Sequence, residues 1–202
     1  MRILCLTDLH ERQWQSFIDK KVMYEEIDFI ITTGDINFYD FPKKVIGVYG
    51  NHELLYNPFV TKPIIDADRI IQNYKGYLFY GYQGNMAKSI KKWHHFTEDQ
   101  AIEDLDSLRK KKVKLDFFLT HERAYGVFDK LEIKHVGVKV FREFIDDVQP
   151  RFYLSGHIHN PQGTKYVKDT LCINPGMGSD GQYCILEPEK KKVEFYGEEE
   201  TN

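Results

Sequence analysis

The sequence predicts a single mixed α/β domain, layers of sheet and helix around one core. Three observations carry this. Short β-branched and aromatic runs alternate with segments whose apolar residues recur at helical spacing, the first alternation is a strand, helix, strand unit, and the chain closes in short strands divided only by turn residues. No low-complexity linker, composition shift or internal repeat divides residues 1–202, so one domain is expected for a chain of 202 residues.

Arg2 to Thr7 reads as the first strand, with Asp28 to Thr33 and Val45 to Tyr49 following it. Between the first two, Trp14, Phe17, Ile18 and Val22 fall on one helical stripe, so a helix from Trp14 to Glu26 joins parallel neighbours by a right-handed crossover. Tyr77, Phe79 and Tyr82 alternate as in a strand. Thr97-Glu98-Asp99-Gln100 fits a capping box, and Ala101, Ile102, Leu105 and Leu108 continue the helix it starts. Arg109 to Lys112 place positive charge at its C-terminal end, where the helix dipole favours it. Leu115 to Thr120 is a strand, Val140 to Val148 a helix and Arg151 to Ser155 a further strand. Tyr166 to Val167, Leu171 to Ile173, Tyr183 to Leu186 and Val193 to Tyr196 then form antiparallel ribbons.

Composition excludes several classes. The longest apolar runs, such as Phe29 to Thr33, are strand-sized, so no membrane-spanning helix is expected. Only four apolar residues separate Arg2 from Thr7, too few for a secretory signal, which points to the cytoplasm. Cys5, Cys172 and Cys184 sit in apolar stretches and read as buried reduced thiols rather than a disulfide framework. A net charge of −3 offers no global basic field for a nucleic-acid backbone.

The chemistry collects at strand ends. Five of the eight histidines lie there in the company of Asp or Asn: Asp8-Leu9-His10, Gly34-Asp35, Gly50-Asn51-His52-Glu53, Thr120-His121 and Gly156-His157-Ile158-His159. A lone His or Asp at a strand end is usually a turn cap. Taken together, these groups should converge at one sheet edge, because ligands of open α/β sheets bind at the carboxyl ends of the strands. Seven oxygen and nitrogen donors without a cysteine suit two divalent ions of borderline hardness, whereas calcium would want more oxygens. Gly34, Gly50 and Gly156 sit where a tight turn or a close backbone approach would need a residue without Cβ.

These five blocks, in this order, resemble the calcineurin-like metallophosphoesterases. The likeness runs from about Ile3 to Gly178. Through His135-Val136-Gly137, Phe144-Ile145 with Gln149-Pro150, and Ile173-Asn174-Pro175-Gly176 it extends to small archaeal members near the cyclic-nucleotide phosphodiesterase branch. The resemblance implies a four-layer αββα sandwich of two mixed sheets. It also implies a dinuclear site for Mn, Fe, Zn or Ni that hydrolyses phosphoesters, diesters above all. One metal would be held by Asp8, His10, Asp35 and His159, the other by Asp35, Asn51, His121 and His157, with Asp35 bridging. His52 would donate the proton for the leaving alkoxide, and Asn51 beside it would also belong to the catalytic pair.

The chain departs from family patterns in two places. Phe38 and Asp40 stand where Ser/Thr protein phosphatases carry Asp and Arg, which argues against that activity and leaves Asn37 or Asp40 to orient His52. Small relatives often have Pro-Pro after the histidine where this chain has Glu122-Arg123-Ala124-Tyr125-Gly126, and Arg123 reads better as the partner of a surface carboxylate than of a phosphate. Tyr74 to Phe96 is rich in aromatics; sheet core is the simpler reading, and the Lys88 to His95 loop is left to rim a pocket. The expected partner is a small phosphorylated substrate, nucleotides included, with a homo-oligomer left open. The rival readings are a nuclease for single-stranded DNA or RNA, which the acidic balance disfavours, and a metal-binding interaction scaffold of the kind found in the retromer complex.

Overall fold

The structure, a computed structural model, describes residues 1–10, 26–36, 41–53, 64–88, 94–159 and 161–197. In chain order the elements begin with β1 (Ile3–Leu6), β2 (Phe29–Thr32), β3 (Val45–Gly47), β4 (Ile65–Asp66), β5 (Gln72–Tyr74) and β6 (Tyr77–Tyr82). The short strands β7 (Asn85–Met86) and β8 (His95–Phe96) precede α1 (Glu98–Lys111) and β9 (Phe117–Thr120). A small hairpin of β10 (Lys130–Leu131) and β11 (Lys134–His135) leads to α2 (Lys139–Val148) and β12 (Phe152–Ser155). The chain ends in β13 (Gly163–Val167), β14 (Thr170–Asn174), β15 (Tyr183–Glu187) and β16 (Lys192–Tyr196).

Two six-stranded mixed sheets result. The first runs β16-β15-β1-β2-β3-β4, parallel from β1 to β4 with an antiparallel ribbon on its edge. The second runs β13-β14-β12-β9-β6-β5, parallel through its four inner strands with antiparallel strands at both edges. The inner strands are buried on both faces, which is why they read as unbroken apolar runs. Their two-residue period sorts the core: Ile3, Cys5, Phe29, Ile31, Phe79, Phe117, Phe152 and Ile173 meet between the sheets. There Phe117 stacks on Phe79 with ring centroids 4.6 Å apart and on Phe152 at 4.9 Å.

On the outer face of the second sheet, Leu105 of α1 and Phe141 and Phe144 of α2 close over Tyr82, Phe118 and Tyr153. The capping box of α1 is present as read: Gln100 N donates to Thr97 Oγ1, and Gln100 Oε1 accepts from Thr97 N. Leu4, Leu6, Ile30 and Val45 form a third cluster on the outer face of the first sheet. The helix expected over Trp14 to Glu26, and with it the fourth layer, lies almost wholly outside the described residues. The aromatic stretch is core where it is described, Phe79, Tyr80, Tyr82 and Phe96 being buried, while most of the Lys88 to His95 loop lies outside. All three cysteines are free and buried, with Cys5 and Cys184 facing each other across β1 and β15. Among the described residues no helix is long and apolar enough to cross a membrane.

Candidate metal centre

The carboxyl ends of the parallel strands of both sheets meet at one place. Asp8 and His10 follow β1, Asp35 follows β2, and Asn51 and His52 follow β3; His121 directly follows β9, and His157 and His159 follow β12. The expected convergence is therefore present, but along a seam between two sheets, because β9 and β12 pair with β6 and β14 instead of β1 to β3. Hydrogen bonds stitch the seam. Thr33 O accepts from His121 Nδ1 (2.7 Å), and Asp8 Oδ2 accepts from His157 N (3.1 Å) and Thr7 Oγ1 (2.9 Å).

Local backbone geometry makes the turns. Asp8, Asp35 and His157 all adopt left-handed φ of 55°, 57° and 67°, which turns the chain sharply at each strand end and costs a non-glycine residue about 1–2 kcal/mol. Two glycines admit the neighbouring loops. A Cβ at Gly50 would lie 2.1 Å from Asp35 Oδ1, and one at Gly156 would lie 2.0 Å from Thr7 Oγ1.

Asp35 sits in the middle. Its Oδ2 lies 3.8 Å from His10 Nε2 and 3.4 Å from His121 Nε2, while Oδ1 accepts from His52 N at 2.8 Å. Asp8, His10 and His159 bring one donor atom each within 4.8 Å of one another, and so do Asp8, Asp35 and His121. Asn51 Oδ1 is 2.8 Å from His121 Nε2. The His157 ring centroid lies 5.0 Å from that of His121, and its Nε2 is 3.9 Å from Glu122 Oε2. His52 is exposed, with its ring edge-on to His10 at 5.4 Å.

Burial alone would raise the Asp35 carboxyl, but the bond and charge of His121, with the His52 N–H, hold it well below the usual range. His121 shows the reciprocal effect: burial opposes its charge, and Asp35 overrides it to push the ring up to about 9. Burial, reinforced by the His121 charge, brings His157 down to about 4, so it is neutral at pH 7.

The donor set fits divalent cations. Asp8 Oδ1 is buried without a hydrogen-bond partner among the described residues, an oxygen that buried carboxylates rarely leave bare. The donation of His121 Nδ1 to Thr33 O leaves Nε2 as the ligand atom of the neutral ring, the arrangement by which outer partners orient metal-binding histidines.

Three residues beyond the expected set support the centre. Glu53 Oε1 accepts from Ile36 N (2.7 Å) and Oε2 from Gly50 N, tying together the loops after β2 and β3; burial and the Asp35 charge push its carboxyl up to about 7. The sequence signal was its place in the Gly50-Asn51-His52-Glu53 block. Glu122 is half-buried beside His157, and Asn174 holds the loop after β12 through Pro161 O at 2.8 Å. Arg123 corrects an expectation. Among the described residues it pairs with no carboxylate: it is 1% exposed and donates instead to main-chain oxygens of the loop after β12, Gly156 O and Ile158 O. Asn37 and Asp40, the expected orienters of His52, lie outside the described residues.

Comparison with known proteins shows the family. Residues 1–191 match the model of the calcineurin-like phosphoesterase superfamily domain, and the chain belongs to that superfamily. An uncharacterized protein of Methanocaldococcus jannaschii is 25% identical over 213 residues, covering 96% of this chain and 94% of its own. Among solved structures, TT1561 of Thermus thermophilus superposes with a TM-score of 0.71 at 16% identity, over 97% of this chain and 98% of that one. A novel archaeal phosphodiesterase does so with a TM-score of 0.54 at 16% identity, over 98% of this chain and all of its own. These likenesses extend to the fold.

Proposed function

We propose that this calcineurin-like phosphoesterase hydrolyses phosphodiesters of small substrates, nucleotides among them, at a site for two divalent cations of the Mn, Fe, Zn or Ni type. Asp8, His10, Asp35 and His159 would hold one cation, and Asp35, Asn51, His121 and His157 the other. The observation that carries the reading is Asp35, whose one carboxylate faces His10 on one side and His121 on the other. Bound there, the cations supply Lewis acidity to the phosphoryl oxygens and a lowered pKa to a coordinated water.

The chain's own groups do the rest. His52 N–H fixes one Asp35 oxygen, and the exposed His52 ring is placed to give a proton to the departing alkoxide. Asn51 carries a neutral oxygen beside it, which adds a donor without adding charge. A diester suits the electrostatics better than a monoester. Among the described residues Asp8 and Asp35 form ion pairs with histidines only and Arg123 faces backbone, so none of these described groups is a fixed cation for the second charge of a monoester dianion. The fold shared with an archaeal phosphodiesterase supports the same choice.

The test is hydrolysis of bis-p-nitrophenyl phosphate beside the mono-ester by metal-stripped protein, with and without Mn²⁺. The diester should be cleaved only with metal, and Asp35→Asn should lower that rate by more than roughly 100-fold. A folded protein that binds Mn²⁺ and turns over neither ester would refute hydrolysis and leave the interaction scaffold as the working alternative.

A further inference from the structure

We propose that Arg123 and Asn174 form a clamp that positions the His157 and His159 loop from behind, so that these two residues set the metal affinity of the centre. This rests on the reading of both histidines as ligands. The Arg123 guanidinium donates through Nε to Gly156 O (2.7 Å), and through Nη2 to Ile158 O and to Asn174 Oδ1 (3.2 Å). Asn174 continues the network: its Nδ2 donates to Pro161 O at 2.8 Å, and its Oδ1 accepts from Gly176 N at 3.2 Å.

The held carbonyls alternate with the histidines. Gly156 O and Ile158 O flank His157, Ile158 O precedes His159, and Pro161 O closes the loop beyond it. Gly156 O lies in the peptide plane that enters His157 and Ile158 O in the plane that enters His159; fixing the plane that enters a residue restrains where its Cβ points, and the ring follows within a few rotamers. His157 needs such restraint, because its left-handed φ of 67° persists only where the surroundings over-determine it.

The choice of arginine is informative. A cation buried to 1% exposure normally has a carboxylate in contact, yet every acceptor found for Arg123 is a main-chain or amide oxygen, and Nη1 has none among the described residues. A planar fork reaches several carbonyls at once, which a lysine ammonium at the same place cannot.

The test compares metal-stripped wild type, Arg123→Lys and Arg123→Ala by calorimetric titration with Mn²⁺ alone, alongside thermal melts. Both variants should bind Mn²⁺ about 10- to 100-fold more weakly while folded, the usual effect of losing an outer partner of a metal ligand. Methylguanidinium should partly restore affinity to Arg123→Ala, and urea should not. If the alanine variant does not fold, the lysine variant, whose stem fills the same space, carries the comparison. Asn174→Ala should weaken binding less, and adding it to Arg123→Ala should cost less than the sum. Variants with lowered melting temperature but wild-type Mn²⁺ affinity would show a purely structural arginine and overturn the clamp alone. A wild type that binds no Mn²⁺ would overturn the ligand assignment, and the clamp with it.

Discussion

Gly156→Ala is the sharpest probe of the seam. Gly156 does not have a positive φ, so its backbone would accept alanine and the cost comes from contact alone. The new Cβ would lie 2.0 Å from Thr7 Oγ1 and 2.8 Å from Asp8 Oδ2. Both belong to a buried strand end, and a β-branched threonine has little rotamer freedom with which to withdraw. Relief means either parting the two chains until 2.0 Å becomes the 3.4 Å of ordinary contact, or rotating Thr7 and losing its 2.9 Å bond to Asp8. Parting the chains by that much also takes His157 N out of reach of Asp8 Oδ2, 3.1 Å away at present. Overpacking of this kind costs about 1–3 kcal/mol, and a lost bond to a carboxylate about 1.5–3, so a total of about 2.5–6 kcal/mol is expected. At about 2–4 °C per kcal/mol for a chain of this size, the melting temperature of the metal-free protein should fall by roughly 5–24 °C, and Mn²⁺ binding should weaken with it. Circular-dichroism melts and Mn²⁺ titration measure both. Gly76→Ala is the control, since nothing lies within 4 Å of its Cβ and only its φ of 86° opposes alanine, at about 1 kcal/mol. A Gly156→Ala protein that melts with wild type and binds Mn²⁺ as tightly would refute the close approach.

Glu53→Ala leaves the Ile36 and Gly50 N–H groups without their acceptor, and denaturant titration should show a loss of about 2–4 kcal/mol; a change under about 0.5 kcal/mol would mean the two loops hold without it. Thr97→Ala removes the cap of α1, far in sequence from the site, and should cost about 1 kcal/mol with ester hydrolysis unchanged. The metal-free His121 ring, at about 9 against 6.5 unfolded, contributes stability that is fully present below about pH 6.5 and lost as pH rises through about 9. Metal takes the neutral ring, so Mn²⁺ affinity should climb across that window by up to about tenfold per pH unit, and a flat titration between pH 7 and 9 would contradict the pairing with Asp35.

Most of the fold was legible because its signals are local. The capping box of α1, the apolar stripe of α2, the closing antiparallel strands and the histidines at strand ends are each written within a few neighbouring residues. The division of the candidate ligands between two sheets was not, since the pairing of β9 with β12 and β6 is a long-range choice that no short segment encodes. Arg123 misled for a related reason. Arginine is mostly a surface residue, and only the fold reveals three oxygens waiting in the interior at 156, 158 and 174. Glu53 lay within a motif already singled out, but its role depends on two backbone N–H groups from different loops, one of them 17 positions away.

The seam also bears on how the molecule comes to exist. Asp8 and His157 touch although 149 positions separate them, and His121 reaches Thr33 across 88. A nascent chain therefore has no centre to offer a cation until the ribosome has passed His159. Closing such wide loops is an entropic search that slows folding compared with a protein of local contacts. Once the search is over, an ion held there joins the beginning of the chain to its later part as a cross-link would. Release of the ion and separation of the two sheets should then be a single event, visible as a melting temperature that follows free Mn²⁺ concentration.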